Sequence, residues 1–155
     1  MLANLATDAT TGMPSFVKGL VKIKTLDWKR LAPHTTGKVM VLTGADDKLS
    51  GPAQAHELYG YLAGASHRVL YCLQTDRHGH PDLVADHNAC ISDDGWMPDF
   101  IMDLVLGGDG EVDATDWRFY WAALDAALDG QDTASFDMGC WSDGTPVKPV
   151  LQQAP

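Results

Sequence analysis

Basic residues are scarce in this chain, and they form no run. Eleven lysines and arginines stand against 21 aspartates and glutamates, which gives a formal net charge of −10 at pH 7. A surface of this sign repels the phosphates of nucleic acids and the anionic headgroups of membranes. We therefore expect no nucleic-acid partner and no association with an anionic membrane surface.

Long apolar stretches are also missing. No run approaches the roughly 20 residues that a membrane-spanning helix needs. The N-terminus, MLANLATDATTG, lacks the basic and apolar regions of a signal peptide, so none is predicted and the localisation stays unassigned. Because the chain has 155 residues, 45% of them hydrophobic, it can still bury a substantial core in one domain.

Cysteine is rare. The three cysteines, Cys72, Cys90 and Cys140, have spacings that match no zinc-binding motif. Three reduced thiols are the expected state, since a buried cysteine commonly behaves as a small apolar residue. An oxidising compartment would instead allow Cys90 to pair with Cys140 or with Cys72, so a secreted or periplasmic origin stays open.

The most informative stretch, residues 37–82, combines two apolar runs with a helical pattern between them. Residues 38–43 (KVMVLT) and His67–Leu73 (HRVLYCL) are short runs typical of strands. Ser50 as N-cap and Pro52 in the first turn predict the start of a helix. Its apolar face recurs at helical spacing, at Ala55, Leu58, Tyr59 and Leu62. Strand, helix and strand at this spacing predict a parallel βαβ unit.

The remainder of the chain predicts helices around this unit and an extended end. Residues 96–106 and 116–128 show helical periodicity, whereas residues 15–28 fit either a helix or a strand. Residues 131–155 have few apolar side chains and many turn formers, which predicts an extended C-terminal tail tied down by Trp141.

The predicted fold class is therefore α/β, with a small parallel βαβ core and flanking helices. One α/β domain is expected over residues 1–130, followed by the tail at residues 131–155. Two strands alone do not form a stable open sheet. Either residues 17–26 add a strand, or the edge of the sheet is left for another chain. We expect residues 38–43 or His67–Leu73 to present an unpaired edge, to which a second chain or a second copy of this chain would bind.

Acidic and histidine-containing loops follow the two predicted strands. Asp46 and Asp47 come after the first strand, and His78 and His80 after the second. Because the functional groups of open α/β sheets lie beyond the carboxyl ends of the strands, these side chains are expected to meet. An aspartate can orient an imidazole and stabilise its cation while the ring transfers a proton. Asp47 and His80 are the first candidates, with Asp46 and His78 as alternatives.

The order of strand, turn (Gly44-Ala45-Asp46-Asp47), helix, strand and Gly79-His80 resembles the C-terminal half of an α/β-hydrolase of the serine esterase and lipase type. The helix predicted at residues 116–128 resembles the last helix of that family. This resemblance implies that Asp47 and His80 are the acid and the base of a Ser–His–Asp triad. It also implies a small-molecule or polymeric ester as substrate and no cofactor.

The chain departs from that family at the nucleophile. The Gly-x-Ser-x-Gly elbow occurs nowhere, and too few residues precede Lys38 for the strands that should carry it. Three explanations stay open: a fragment, one subunit of a two-chain enzyme, or a shortened relative that no longer catalyses. In each case we expect little or no ester hydrolysis from the chain alone, because no activated serine is present.

Two other hypotheses use the same sequence differently. His78-x-His80-x-Asp82 resembles the first metal motif of metallo-β-lactamase-fold hydrolases, which implies a zinc site with His87 as a further ligand. Leu83 stands where that family has its next histidine. The third hypothesis is a non-catalytic interaction module. Its contact surface would be an aromatic stripe on the last helix, made by Trp117, Tyr120, Trp121, Leu124 and Leu128.

Overall fold

The computed structural model describes residues 2–3, 27–87, 89 and 112–153. Three of the predictions lie outside these residues. They are the helix at residues 96–106, the helix-or-strand segment at residues 15–28 apart from its last two residues, and any pairing of Cys90. Cys72 and Cys140 are free thiols, and burial raises the pKa of Cys72.

The core is a four-stranded sheet with the two long strands in its centre. Its strands, in spatial order, are β1 (Leu2–Ala3), β2 (Lys38–Gly44), β3 (His67–Leu73) and β4 (Leu151–Gln153). β2 and β3 pair in parallel over their whole length, which confirms the predicted βαβ pairing and the α/β class. β1 is parallel to β2, but β4 is antiparallel to β3, so the sheet is mixed.

The helices cover both faces of this sheet. α1 (Trp28–Leu31) continues into a 3₁₀ turn, Ala32–His34, before β2. α2 (Pro52–Tyr61) connects β2 to β3. A π-helical turn, Asp116–Tyr120, leads into α3 (Trp121–Leu128).

Side chains alternate between the two faces along the long strands. Val39, Val41 and Leu70 pack with the apolar face of α2. Met40, Leu42, Val69, Tyr71 and Leu73 pack with Phe119, Tyr120, Ala123 and Ala126 of the last helical segment. Both long strands are nearly continuous apolar runs because helices bury them from both sides.

The start of α2 differs from the prediction. Gly51 is its N-cap residue and Pro52 is its first residue, while Ser50 makes no capping hydrogen bond. The backbone N–H of Ser50 instead donates to Asp47 Oδ1 at 2.8 Å. Gly51 is needed at the cap because a Cβ atom there would lie 2.2 Å from the carbonyl oxygen of Asp47.

The C-terminal segment, residues 131–153, is packed onto the sheet rather than free. The hydroxyl of Tyr71 donates to the carbonyl of Ala134 at 3.1 Å and accepts from its N–H at 2.9 Å. The indole N–H of Trp141 donates to Asp76 Oδ2 at 3.2 Å. Trp141 therefore ties this segment to the loop that follows β3.

The prediction of an unpaired edge on β2 or β3 is wrong. β2 lies between β1 and β3, and β3 lies between β2 and β4. The end of the C-terminal segment supplies β4, whose three residues are too few to show a strand periodicity.

Within the described ranges, no helix has the length and apolar character needed to cross a membrane.

Candidate functional site

Asp47 lies in the turn that follows β2, and backbone donors hold its carboxylate in place. Its Oδ1 atom accepts hydrogen bonds from the N–H groups of Leu49 and Ser50, both at 2.8 Å. This turn uses the aspartate side chain as its acceptor, a common role of that residue type. The Asp47 side chain is only 3% exposed, so its second oxygen also needs a donor.

His87 supplies that donor. Its Nδ1 atom lies 3.1 Å from Asp47 Oδ2, and its side chain is 17% exposed. Because an ionised carboxylate can only accept, Nδ1 carries the proton and Nε2 of the neutral ring keeps its lone pair. Among the described residues, no hydrogen bond occupies Nε2. His87 therefore has one nitrogen oriented by Asp47 and the other able to take a proton.

The charge of Asp47 persists at neutral pH. Burial by itself raises the pKa of the Asp47 carboxyl, but the hydrogen bonds from His87 and from the backbone of Ser50 and Leu49 outweigh it and leave the pKa below its ordinary value. The resulting stabilisation is present above the unfolded pKa of roughly 4 and is lost as the pH falls through the lowered folded pKa. The carboxylate can thus stabilise a His87 cation.

The loop after β3 brings His87 to this position by returning to the sheet. Asp76 and Leu83 pair through backbone hydrogen bonds of 2.8 and 3.0 Å, which closes residues 77–82 into a surface excursion. The chain then passes the end of β2, where the carbonyl of Ala85 accepts from the N–H of Asp46 at 2.9 Å. Two residues later, His87 meets Asp47.

The close approach of these two segments depends on Gly44 and Thr75. A Cβ atom on Gly44 would lie 2.2 Å from the carbonyl oxygen of Ala85. On the other side, the N–H of Ala85 donates to the buried hydroxyl of Thr75 at 2.9 Å. Hydrogen bonds to the backbone of Ala85 therefore hold the returning part of the loop against the end of the sheet.

The histidines predicted as catalytic lie on the excursion and have other partners. His78 Nε2 is 2.8 Å from Asp143 Oδ2, and this hydrogen bond lowers the pKa of Asp143. The His80 side chain is 96% exposed, and its nearest carboxylate is that of Asp82, at 3.7 Å from Nδ1. The prediction that His80 or His78 pairs with Asp47 is therefore corrected to His87.

The alternative acid, Asp46, is also engaged elsewhere. Its Oδ2 atom accepts from Arg77 Nη2 at 2.9 Å. Hydrogen bonds from Thr75 and Arg77 lower the pKa of Asp46. Asp46 therefore joins the two loops through an ion pair, and Asp47 is the acid that contacts a histidine.

The sequence predicts His87 only as a metal ligand, because its position after the strand shows no recognisable spacing. Leu83, Val84 and Ala85 interrupt an otherwise polar loop. An apolar triplet of this kind indicates chain that returns to the core, and it precedes His87 directly. This signal was the one that could have identified His87.

Ser50 contacts the same ring nitrogen as Asp47. Its Oγ atom lies 3.4 Å from His87 Nδ1, and the residue is buried. A single nitrogen cannot donate to Asp47 and accept a proton from Ser50 at once, and in a triad the serine meets Nε2. Ser50 therefore packs beside the ring and is not arranged as a nucleophile.

The ligand set of the zinc hypothesis is not assembled. Nowhere in the described part of the chain do three or more histidine, cysteine, aspartate or glutamate side chains group so that they could hold a metal ion. His87 is hydrogen-bonded to Asp47, and His78 to Asp143. The arrangement does not favour zinc chemistry.

We expect Asp47→Asn to reverse the tautomer of neutral His87. The backbone donors of Leu49 and Ser50 would keep the amide oxygen on their side, so the amide N–H₂ would face Nδ1 and the ring proton would move to Nε2. Long-range nitrogen–proton NMR correlations distinguish the two tautomers. Asp143→Asn, which changes the partner of His78, is the control and should leave the His87 signals unchanged. An Nε2-protonated ring in the unaltered chain would contradict the assignment.

The structure thus brings together an ionised carboxylate, a buried hydroxyl and an imidazole whose Nε2 atom receives no hydrogen bond from the described residues. The loop that carries His87 is further held by Thr115, whose hydroxyl donates to the carbonyl of Ala89 at 3.1 Å. The pair of Asp47 and His87 can accept a proton and return it.

No family model, no curated protein and no solved structure matches the chain.

Proposed function

We propose that Asp47 and His87 are the acid and the base of an ester-hydrolysing site of the α/β-hydrolase kind. The observation that carries this proposal is the 3.1 Å contact between Asp47 Oδ2 and His87 Nδ1. It lies beyond the carboxyl ends of two parallel strands, where α/β sheets commonly place their functional groups. The acid is the residue that the family resemblance implied, and the histidine is a different one.

Each displacement at the ester carbonyl requires one proton transfer in each direction. With water as the attacking group one displacement completes the hydrolysis, whereas a protein hydroxyl keeps the acyl group until water displaces it in a second, identical step. Nε2 of His87 removes a proton from an attacking hydroxyl or water as its oxygen bonds to the ester carbonyl carbon. The tetrahedral intermediate then expels the alcohol, which takes the proton back from the imidazolium. Asp47 stabilises that cation through Nδ1 and keeps the ring oriented.

A complete hydrolase site would also need a nucleophile at Nε2. None of the described residues donates a hydroxyl to that nitrogen, and Ser50 lies at Nδ1. The proposal therefore assigns the nucleophile to a residue outside the described ranges or to a second chain, with water as the slow substitute. Without an oriented hydroxyl we expect slow turnover, since positioning of the reacting groups supplies much of an enzyme's rate.

The charges around the site favour uncharged esters, whether small or polymeric. The turn after β2 and the loop after β3 carry two basic residues, Lys48 and Arg77, and Arg77 is paired with Asp46. The acidic residues of the same two segments are Asp46, Asp47, Asp76, Asp82 and Asp86. A surplus of negative charge would repel a carboxylate-bearing substrate.

Hydrolysis of 4-nitrophenyl butyrate tests the proposal. We expect the chain to hydrolyse this ester slowly but above background, and we expect His87→Ala and Asp47→Asn to remove that activity. His80→Ala, which alters an exposed histidine of the same loop, is the control. This variant should hydrolyse the ester at the same rate as the unaltered chain. Equal rates for the unaltered chain and for His87→Ala would refute the proposal.

Two inhibitors extend this assay to the nucleophile. Stoichiometric inactivation by a serine-directed phosphonate would show that a serine takes part, and mapping the modified peptide would identify it. Loss of activity with a chelator and recovery with zinc would support the metal hypothesis instead. Resistance to both reagents would indicate that water is the attacking group.

A further inference from the structure

Exposed apolar side chains are concentrated on the last helical segment. Eight large apolar residues of the described chain are exposed, and five of them belong to residues 112–128. These five are Val112, Trp117, Trp121, Leu124 and Leu128. Trp117 and Trp121 are each 48% exposed, and Leu128 is 76% exposed. Scattered exposed residues need no explanation, but a contiguous group of this kind marks an interaction surface.

Four of these residues form one stripe along the helix. Trp117, Trp121, Leu124 and Leu128 follow each other at intervals of four, three and four residues, which places them on one face. The ring centroids of Trp117 and Trp121 are 6.4 Å apart. The opposite face, with Phe119, Ala123 and Ala126, is buried against the sheet. The outer stripe is therefore separate from the core that stabilises the domain.

The charges that the helix itself places beside this stripe are acidic. Past the end of the helix, the ammonium of Lys38 on β2 donates to the carbonyl of Gly130 and pairs with Asp132. Asp125 and Asp129 are exposed on the same helical segment, one residue after Leu124 and one after Leu128. The single basic residue of residues 112–132 is Arg118. Its guanidinium donates to the carbonyl of Asp137 at 2.8 Å, away from these carboxylates. The stripe thus presents apolar side chains with a negative flank.

We propose that the stripe of Trp117, Trp121, Leu124 and Leu128 binds an amphipathic helix with lysine or arginine beside its apolar face. From Trp117 to Leu128 the stripe extends about 16 Å, which matches three turns of a partner helix. Such a partner would place apolar anchors at helical spacing on the stripe and its cations against Asp125 and Asp129. The tryptophans would also attract cations through their ring faces.

Charge selects this partner over a second copy of the chain. Two copies would each bring a net charge of −10 and the same acidic flank to the interface. Like charges placed opposite each other disfavour that association. The inference does not depend on the proposed ester hydrolysis, because the stripe includes neither Asp47 nor His87.

The probe for this proposal is a synthetic leucine–lysine peptide of about four turns with helical spacing of the leucines. We expect it to shift the tryptophan fluorescence of the protein to shorter wavelength and to bind more weakly at high salt. A leucine–glutamate peptide with the same apolar positions should not bind. A leucine–lysine peptide with alternating spacing, which cannot form one apolar helical face, should bind at least about tenfold more weakly.

Variants of the protein separate the stripe from the rest of the surface. Trp121→Ala should weaken binding of the helical leucine–lysine peptide about tenfold or more, as for an aromatic anchor. Leu128→Gln, at the most exposed position of the stripe, should weaken it without affecting the fold. Asp125→Asn should reduce the affinity for the helical leucine–lysine peptide and should make that affinity less dependent on salt concentration. Glu57→Gln on α2, which packs on the other face of the sheet, is the matched charge control and should change neither.

Three results would overturn the proposal. One is that Trp121→Ala and Leu128→Gln both bind the helical leucine–lysine peptide as tightly as the unaltered chain does. Another is that the unaltered chain binds the leucine–glutamate peptide as tightly as the leucine–lysine peptide. The third is a dimer in light scattering that Trp121→Ala converts to a monomer, because it would make a second copy the occupant.

Discussion

Gly44→Ala should destabilise the fold and disrupt the contact between Asp47 and His87. The added methyl group would lie 2.2 Å from the carbonyl oxygen of Ala85, which is backbone and cannot rotate away as a side chain could. Either β2 or the returning loop must shift, at a cost of about 3 kcal/mol or more. Because Ala85 is two residues from His87, the shift would also move the imidazole away from the carboxylate.

Urea denaturation and the His87 ring signals in NMR measure these two effects. Gly60→Ala is the matched control, since no atom lies within 4 Å of a Cβ placed there and the residue is inside α2. It should raise the free energy of unfolding by roughly 0.5–1 kcal/mol through helix propensity. A Gly44→Ala protein of normal stability with unchanged His87 signals would show that the described approach of the loop to the sheet is wrong.

Asp76→Ala should release the C-terminal segment from the sheet. Asp76 is buried, and its carboxylate accepts hydrogen bonds from the N–H of His78 at 3.1 Å, from the N–H of Lys148 at 2.9 Å and from the indole of Trp141 at 3.2 Å. Hydrogen bonds to a charged acceptor contribute about 1.5–3 kcal/mol each. Contributions to one shared acceptor are not additive, and water can reach the three donors once the segment opens. We therefore expect a loss of about 3–5 kcal/mol, smaller than the sum of the three bonds.

Hydrogen exchange of the backbone amides at residues 139–153 reports this release directly. Those amides should exchange much faster in Asp76→Ala than in the unaltered chain, including the ones that pair β4 with β3. Asp137→Ala is the control. Its side chain is exposed, accepts a local hydrogen bond from the N–H of Gly139 and lies 4.0 Å from the guanidinium of Arg118. The expected cost of the variant is below about 1 kcal/mol, because exposed contacts of this kind contribute little. Equal exchange in the two variants would contradict the anchoring role of Asp76.

The same carboxylate predicts a response to acid. Burial raises the pKa of Asp76, but the hydrogen bonds from Lys148, Trp141 and His78 outweigh it, so the folded pKa lies below its ordinary value. Its stabilising contribution is therefore complete above the unfolded pKa of roughly 4 and is lost as the pH falls through the folded pKa. The loss of amide protection expected in the variant should therefore also appear in the unaltered chain at low pH, once each exchange rate is divided by the intrinsic rate at the same pH.

Local patterns in the sequence determined the central βαβ unit. Two apolar, partly β-branched runs and one helical spacing predicted β2, α2 and β3, and they predicted the parallel pairing of the strands. These features follow from periodicity and from the length of the connection, which nearby residues define. The turn after β2 also predicted that Asp46 and Asp47 lie at the end of that strand, because a glycine followed by aspartates at a strand end is a local signal.

The partner of Asp47 and the edges of the sheet depended on tertiary structure. His78, His80 and His87 all follow β3 within one loop, and their spacing does not show which one faces the acid. The pairing of Asp76 with Leu83 and the contact of Ala85 with Asp46 decide it, because they send His78 and His80 outward and bring the chain back at His87. These contacts join residues that are separated by a loop or by a whole βαβ unit.

The pairing of β4 with β3 also depended on the tertiary structure. Its three residues carry no periodicity, and they lie about 80 positions from their partners in the chain. Their position is set by Asp76, Tyr71 and the apolar contacts of the C-terminal segment. The sequence by itself therefore determined the elements built from local spacing and the aspartates at the end of β2. The tertiary structure decided the histidine and the outer strand, because hydrogen bonds between distant residues cost loop entropy that only the assembled core offsets.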